Sequence, residues 1–162
     1  MQDIRVLRGW QIQKLQQGLS SIQSIVETTA PDDATTYRDG GQGWTVLEVM
    51  CHLRDFEGLF MERATLTVQQ DNPELPFPDP DLLAQMHTYN KQQLTEVYTA
   101  WRGRRQELIA FFQARDEADW ERPAQHPKRG PFTLTDQLFL CALHDSIHIE
   151  QMLRILREQR TK

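Results

Sequence analysis

Four stretches of the chain carry apolar residues at steps of three and four, which is the period of an amphipathic helix. The first predicted helix runs from about residue 4 to 28 and ends before Pro31. Its apolar stripe consists of Ile12, Leu15, Leu19, Ile22 and Val26. The segment that follows, DDATTYRDGGQG (32–43), has the density of Gly and Asp that is typical of a loop.

The second predicted helix lies in WTVLEVMCHLRDFEGLFMERATL, which starts at Trp44. Thr45 and Glu48 form the Thr-x-x-Glu pattern of a capping box directly before an apolar run. The stripe that we expect to be buried consists of Val49, Leu53, Phe56, Phe60 and Ala64.

Four prolines between Asp71 and Asp81 exclude a continuous helix there, because proline lacks the amide hydrogen and clashes with the preceding turn. The segment is also long for a tight turn between antiparallel neighbours. We therefore expect 71–81 to be a crossover, after which the third helix runs parallel to the second. The third helix is predicted at about 80–114. Unbroken, it would be roughly 50 Å long, so we expect a later start or a kink near Gly103.

The fourth predicted helix begins after Thr133, which is its expected cap, and reaches about residue 159. The segment before it, AQHPKRGPF (124–132), is expected to be an irregular connection. No segment alternates in the way that a core strand requires. Four amphipathic helices with one long connection predict an all-α four-helix bundle, and we expect residues 1–162 to form a single domain.

The composition narrows the classes of function. Hydrophobic residues make up 39% and charged residues 25% of the chain, and no run of eighteen apolar residues predicts a membrane span. The start, MQDIRVLRGW, lacks the features of a signal peptide, which favours a cytoplasmic protein. The net charge of −5 argues against a nucleic-acid partner. Cys51 and Cys141 are too few for a disulfide framework and are expected to be reduced.

The segment LHDSIHIEQ places His144 and His148 one turn apart on the same helical face. Two imidazoles at this spacing, with Cβ atoms about 5–6 Å apart, can bind one divalent ion. Two hydrogen-bonded core histidines would give the same pattern. His52 lies among apolar neighbours on the second helix and so points inward as well. Three histidine ligands would leave one coordination position open, as catalytic zinc sites do.

Two familiar metal sites do not fit these residues. A zincin helix has His-Glu-x-x-His, but Asp145 stands at the Glu position and no further motif follows His148. A di-iron bundle needs two Glu-x-x-His motifs, whereas Glu48 and His52 are four residues apart and no second copy exists.

The segments GWTVLEVMCHLRDFEGLFMERA and GPFTLTDQLFLCALHDSIHIEQMLRILRE closely resemble the two signature regions of the DinB-like superfamily. DEADWERPAQHPKRG resembles the segment before the last helix in one branch of it. The resemblance implies an up-down-down-up four-helix bundle with a metal site at His52, His144 and His148. It also implies relatives that are metal-dependent hydrolases, or transferases and isomerases that use mycothiol or bacillithiol.

Four further side chains are candidates for the pocket or for orienting a ligand, and three of them, Glu48, Asp55 and Cys141, have a structural alternative. Glu48 could orient His52 or serve only the capping box. Asp55 could accept a hydrogen bond from an imidazole, or it could pair with an arginine such as Arg154. Gln151 could line the pocket or bond a water on the ion. Cys141 could be a fourth ligand or a small core residue.

We therefore expect a divalent-metal-binding protein that holds one Zn²⁺ or Ni²⁺ and acts on a small molecule as a metal-dependent hydrolase. A transferase or isomerase that uses a low-molecular-weight thiol, and a non-catalytic metal-dependent binding or stress-response module, are the alternatives. No nucleic-acid or membrane partner is expected, and a homodimer is left open.

Overall fold

The computed structural model describes residues 3–159, and α-helices make up most of this part of the chain. The helices are α1 (Ile4–Thr28), α2 (Pro31–Thr36), α3 (Val46–Gln69), α4 (Pro80–Met86), α5 (Leu94–Gln113) and α6 (Leu134–Gln159). A two-residue antiparallel pair, β1 (Gln125–His126) and β2 (Gly130–Pro131), precedes α6. Between residues 3 and 159, no helix is long and apolar enough to cross a membrane.

The four long helices, α1, α3, α5 and α6, form the predicted bundle, in which α1 and α3 each pack against both α5 and α6. Helices α3 and α5 run parallel, since Arg104 donates to the backbone carbonyl of Arg54 and Arg105 donates to the carboxylate of Glu57. Helices α3 and α6 run antiparallel, because Thr67 near the end of α3 bonds Gln137 near the start of α6. The up-down-down-up topology with its crossover between the second and third long helices is confirmed.

The crossover is longer than predicted, because the third long helix begins at Leu94 and not near residue 80. Pro80 starts the separate helix α4 after its cap Asp79, whose side chain accepts from the amides of Asp81 and Leu82. Thr88 has a left-handed conformation (φ 45°) that ends this helical segment. The chain is helical through Gly103. Of the two options for the long third helix, the late start is correct.

Side-chain caps fix the starts of the two helices that carry the histidines. Thr45 accepts from the amide of Glu48 at 3.2 Å, and Glu48 accepts from the amide of Thr45 at 2.8 Å. Thr133 and Asp136 make the same reciprocal pair before α6, at 3.2 and 2.8 Å. Each cap satisfies amides that a helix start leaves without partners. The register of α3 and α6, and so the position of each histidine, is set at these ends.

Buried ionic side chains connect three of the four long helices. Arg105 on α5 is fully buried and donates to the carboxylates of Glu57 on α3 and Asp145 on α6. Burial alone lowers the pKa of the Arg105 guanidinium, but the two carboxylates outweigh burial and raise it. A buried charge is tolerated only when it is paired in this way, so the three side chains hold α3, α5 and α6 in a fixed relation.

Candidate metal centre

The fold brings His52 of α3 together with His144 and His148 of α6. One ligand atom from each lies within 4.8 Å of the other two. A single point can therefore lie within about 2.8 Å of all three atoms. The usual length of a histidine–zinc bond is about 2.0–2.1 Å. The Nε2 atoms of His52 and His144 are 2.9 Å apart, so they either share one proton or jointly face a third atom. The geometry fits a divalent ion with only small side-chain shifts.

Aromatic rings surround the three imidazoles. The ring of Trp44 lies 5.0 Å from that of His52, and Phe56 lies 4.1 Å from it. Phe56 stacks on His144 at 5.5 Å, and Phe60 meets His144 edge-on at 5.2 Å. These rings hold the imidazoles in place and exclude water from one side of the cluster.

Burial keeps the three imidazoles neutral. It lowers the pKa of His52 from 6.5 to about 3, assisted by the nearby His148. Burial, followed by His148 and His52, lowers the pKa of His144 well below its usual value. Burial also lowers the pKa of His148, although a hydrogen bond to Gln151 partly opposes it. Neutral imidazole is the form that binds a metal ion, so the cluster has lone pairs available at neutral pH.

Gln151 is an outer partner of the cluster. Its Oε1 lies 2.8 Å from Nδ1 of His148, and its Nε2 donates to Asp39 at 3.0 Å. Arg154 donates to both oxygens of Asp39 at 2.9 and 2.8 Å. The sequence predicts Gln151 as a candidate but not Asp39, which lies in the loop between α2 and α3. The only sequence signal was the Asp-Gly-Gly turn, whose Gly40 and Gly41 adopt positive φ.

Asp55 does not bond any of the three clustered histidines in the part of the chain that the structure describes. It accepts from Tyr89 at 2.8 Å, from His87 at 3.0 Å and from Arg54 at 2.8 Å. Burial alone would raise the pKa of Asp55, and these three hydrogen bonds lower it instead. The alternative of an arginine partner holds, because Asp55 pairs with Arg54 and, at 3.9 Å, with Arg104 of α5. The arginine given as an example, Arg154, binds Asp39 instead. Through His87 and Tyr89, Asp55 holds the segment after α4 against helix α3.

Glu48 and Cys141 have structural roles, in helix capping and in core packing respectively. Glu48 Oε2 serves the capping box and also accepts from Arg38 at 3.0 Å. The side chain of Cys141 is fully buried in the apolar cluster that contains Leu138. Burial raises the pKa of the Cys141 thiol well above its usual value, which disfavours the thiolate that a metal ion binds. Both placements agree with the structural alternatives.

The chain resembles proteins of known sequence or structure, and three of them illustrate the range. The first is a protein of Oceanobacillus iheyensis named "Putative metal-dependent hydrolase OB0782", which is 24% identical over 131 residues, 77% of this chain and 71% of its own. YfiT from Bacillus subtilis, described as a probable metal-dependent hydrolase with an unusual four-helix bundle topology, superimposes with a TM-score of 0.86. The match covers 94% of this chain and 87% of YfiT at 22% identity. The mycothiol-dependent maleylpyruvate isomerase matches with a TM-score of 0.75 and 10% identity over 94% of this chain and 63% of its own.

The two structural matches establish the fold, and a match to a family model establishes the family. The model of the DinB superfamily matches residues 14–152, which include all three clustered histidines and all four long helices in whole or in part. The chain belongs to the DinB superfamily.

Proposed function

We propose that this protein binds one divalent metal ion through His52, His144 and His148 and uses it to hydrolyse a small-molecule substrate. The convergence of three neutral imidazoles from two helices carries the proposal. The names of OB0782 and YfiT support it, since the first is called a "putative" and the second a "probable" metal-dependent hydrolase. Zn²⁺ and Ni²⁺ are the proposed ions, because imidazole nitrogen suits both.

A divalent ion at this site would supply Lewis acidity, which lowers the pKa of a water or thiol nucleophile. The residues of the chain would hold this ion and orient its ligands. The three imidazoles would bind the ion, Gln151 orients His148, and Phe56 and Phe60 keep one side of the cluster dry.

The sequence offers three carboxylates near the site, Glu48, Asp55 and Asp145, and each of them is engaged by other groups. Glu48 is bound by Arg38 and by the amide of Thr45. Asp55 is bound by three donors, and Asp145 is bound by Arg105. We therefore propose a reaction whose nucleophile is activated without Glu48, Asp55 or Asp145.

The engagement of Glu48, Asp55 and Asp145 in other contacts also supports a second candidate function, a transferase or isomerase that uses a low-molecular-weight thiol. A thiol ionises more readily than water, so it depends even less on a protein base. The fold is shared with an isomerase that is named as mycothiol-dependent. A thiol is therefore the second reagent to test.

Elemental analysis followed by an activity screen tests both candidates. The purified protein should carry about one Zn²⁺ or Ni²⁺ per chain, and the ion should rebind after chelation. A panel of small esters and amides should be hydrolysed by the reloaded protein, not by the chelated protein or by His144→Ala. His87→Ala is the matched control and should keep both ion and activity, because His87 is bound to Asp55, away from the cluster.

Each other outcome selects a different function. Turnover that requires added thiol would replace hydrolysis with the second candidate. A protein that binds the ion but turns over no substrate in either screen would be a metal-dependent binding module. Failure to retain or rebind any ion would refute the metal site itself.

A further inference from the structure

The loop before α3 contacts the last turns of α6 through one carboxylate. Asp39 lies in a short 3-10 turn, Asp39–Gly41, and its backbone is fixed by hydrogen bonds with Gly43 and Trp44. Gly43 has no room for a side chain, since an added Cβ would lie 2.7 Å from the Asp39 carbonyl oxygen. The position of the Asp39 carboxylate is thus built into the loop.

The contacts around Asp39 form a chain of four side chains, and each link restricts the next. Arg154 can only donate, and the ionised carboxylate of Asp39 can only accept. The hydrogen bonds from Arg154 lower the pKa of Asp39, so it remains an acceptor well below neutral pH. Gln151 must then present its NH₂ group to Asp39, at the observed 3.0 Å.

The orientation of Gln151 in turn determines the protonation of His148. A side-chain amide has one donor end and one acceptor end. With its NH₂ group held by Asp39, Gln151 can offer only its Oε1 to Nδ1 of His148, at 2.8 Å. Nδ1 must therefore carry the proton, which leaves the lone pair on Nε2.

We infer that Asp39 is a positioning residue, which acts through Gln151 to keep His148 in the Nδ1-protonated form whose Nε2 can bind a metal ion. The inference about the metal rests on the proposed function, whereas the inference about the proton does not. Outer partners of this kind commonly change metal affinity by about 10–100-fold when removed.

Asp39→Asn is the informative variant, because it keeps the shape of the side chain and makes one end a donor. Arg154 would hold the remaining oxygen, and the new NH₂ group would face Gln151. Gln151 could then reverse and present its own NH₂ group to His148, which favours the Nε2-protonated ring. We expect Asp39→Asn to increase the Nε2-protonated fraction of His148 in the metal-free protein. Nitrogen-15 NMR of the imidazoles at pH 7.5 measures this fraction.

The same variant should lower the affinity for Zn²⁺ by about 10–100-fold in competition with a chromophoric chelator. Asp119→Asn is the matched control, since Asp119 pairs with Arg115 and its side chain is 22% exposed, against 20% for Asp39. It removes the same charge and should leave both the tautomer and the affinity unchanged.

A compensating change separates positioning from a general loss of charge or fold. In the double variant Asp39→Asn with Gln151→Glu, the carboxylate at 151 accepts from Nδ1 of His148, and the amide at 39 donates to that carboxylate. The double variant has the same net charge as the natural chain, and it should restore both the Nδ1 proton and the affinity. Gln151→Met removes the link and leaves the Asp39–Arg154 pair intact, so it should resemble Asp39→Asn.

The inference is overturned if Asp39→Asn and Gln151→Met both keep the natural tautomer of His148 and the natural affinity. It is also overturned if Asp119→Asn weakens binding as much as Asp39→Asn does, or if the double variant restores nothing. A natural protein that binds no Zn²⁺ would refute the proposed function instead. The tautomer measurement would still test the role of Asp39 in that case.

Discussion

Asp145 directly follows His144 on α6, yet its carboxylate is bound by Arg105 of α5, with Nη2 at 2.8 Å from Oδ1. Glu57 of α3 holds the other side of the same guanidinium. The acidic residue inside the His-x-x-x-His motif therefore belongs to the scaffold. By fixing α6 against α3 and α5, this contact sets how closely His144 and His148 approach His52.

Gly18→Ala should destabilise the protein because of this contact. Alanine favours a helix by about 1 kcal/mol over glycine. At Gly18, however, an added Cβ would lie 2.8 Å from Oδ2 of Asp145 and 3.4 Å from Nη1 of Arg105, atoms that the ion pairs hold in place. We expect a net loss of about 1–3 kcal/mol in the free energy of unfolding by chemical denaturation.

Gly9→Ala is the matched control on the same helix. Nothing lies within 4 Å of a Cβ added at Gly9, so the helix propensity of alanine should raise stability by up to about 1 kcal/mol. Equal effects of the two substitutions would mean that the buried ion pairs do not restrict α1.

Much of the fold could be predicted because it depends on local patterns. The apolar stripes gave α1, α3 and α6 to within a few residues, and the Thr45 and Thr133 caps marked two helix starts. The third long helix was predicted too long, because apolar residues in 80–92 continue the helical pattern. Pro80 and the left-handed Thr88 instead make a separate short helix there.

In the candidate site, too, the features that depend on local patterns could be predicted from the sequence, and the others could not. The inward positions of the three histidines follow from helical spacing, and the structure brings them together, while metal binding at these residues stays a prediction. Partners of long polar side chains depend on contacts between distant segments. Arg154 therefore could have reached Asp55 or Asp39, and no local pattern distinguished the two.

His148→Ala should reduce bound metal far more than His87→Ala. His148 is one of the three converging imidazoles, whereas His87 is 46% exposed and bonded to Asp55. Loss of a direct ligand should lower the affinity for Zn²⁺ by more than the roughly 100-fold that loss of an outer partner can cause. Chelator competition and metal content per chain measure the difference. Similar metal content in the two variants would contradict a three-histidine site.

The metal-free protein should become less stable as pH falls from 7.5 to 5. The pKa of His52 is about 3 in the fold and close to 6.5 in the unfolded chain, so the unfolded chain binds the proton more readily between these values. The free energy of unfolding therefore decreases as pH decreases, by about 2 kcal/mol for His52 over this range. Urea denaturation at several pH values gives the slope.

His52→Leu should flatten this slope, because leucine has no proton to bind in either state. A stability that does not change between pH 7.5 and 5, or a slope in His52→Leu equal to that of the natural chain, would contradict the buried neutral state of His52.

Removal of the metal should leave the protein folded. Two clusters of buried apolar residues span the bundle, and Arg105 is fully paired without any ion. A bundle of this size buries enough apolar surface to fold alone, unlike a small zinc finger. We expect the chelated protein to keep its helical circular dichroism and a cooperative thermal transition with a moderately lower Tm. Complete unfolding on chelation would assign the ion a structural role.

The cobalt-substituted protein should accept an additional ligand from solution. Three histidines leave a coordination position free, and Cys141 lies buried in the apolar core with a raised thiol pKa, which argues against its filling that position. Adding azide or a small thiol to the Co²⁺ form should therefore change its visible spectrum in a saturable way. The same titration of Cys141→Ser should give the same result. An unresponsive spectrum with a thiolate band that Cys141→Ser abolishes would indicate a closed four-ligand site, and the proposed hydrolase would lose the open position on which it depends.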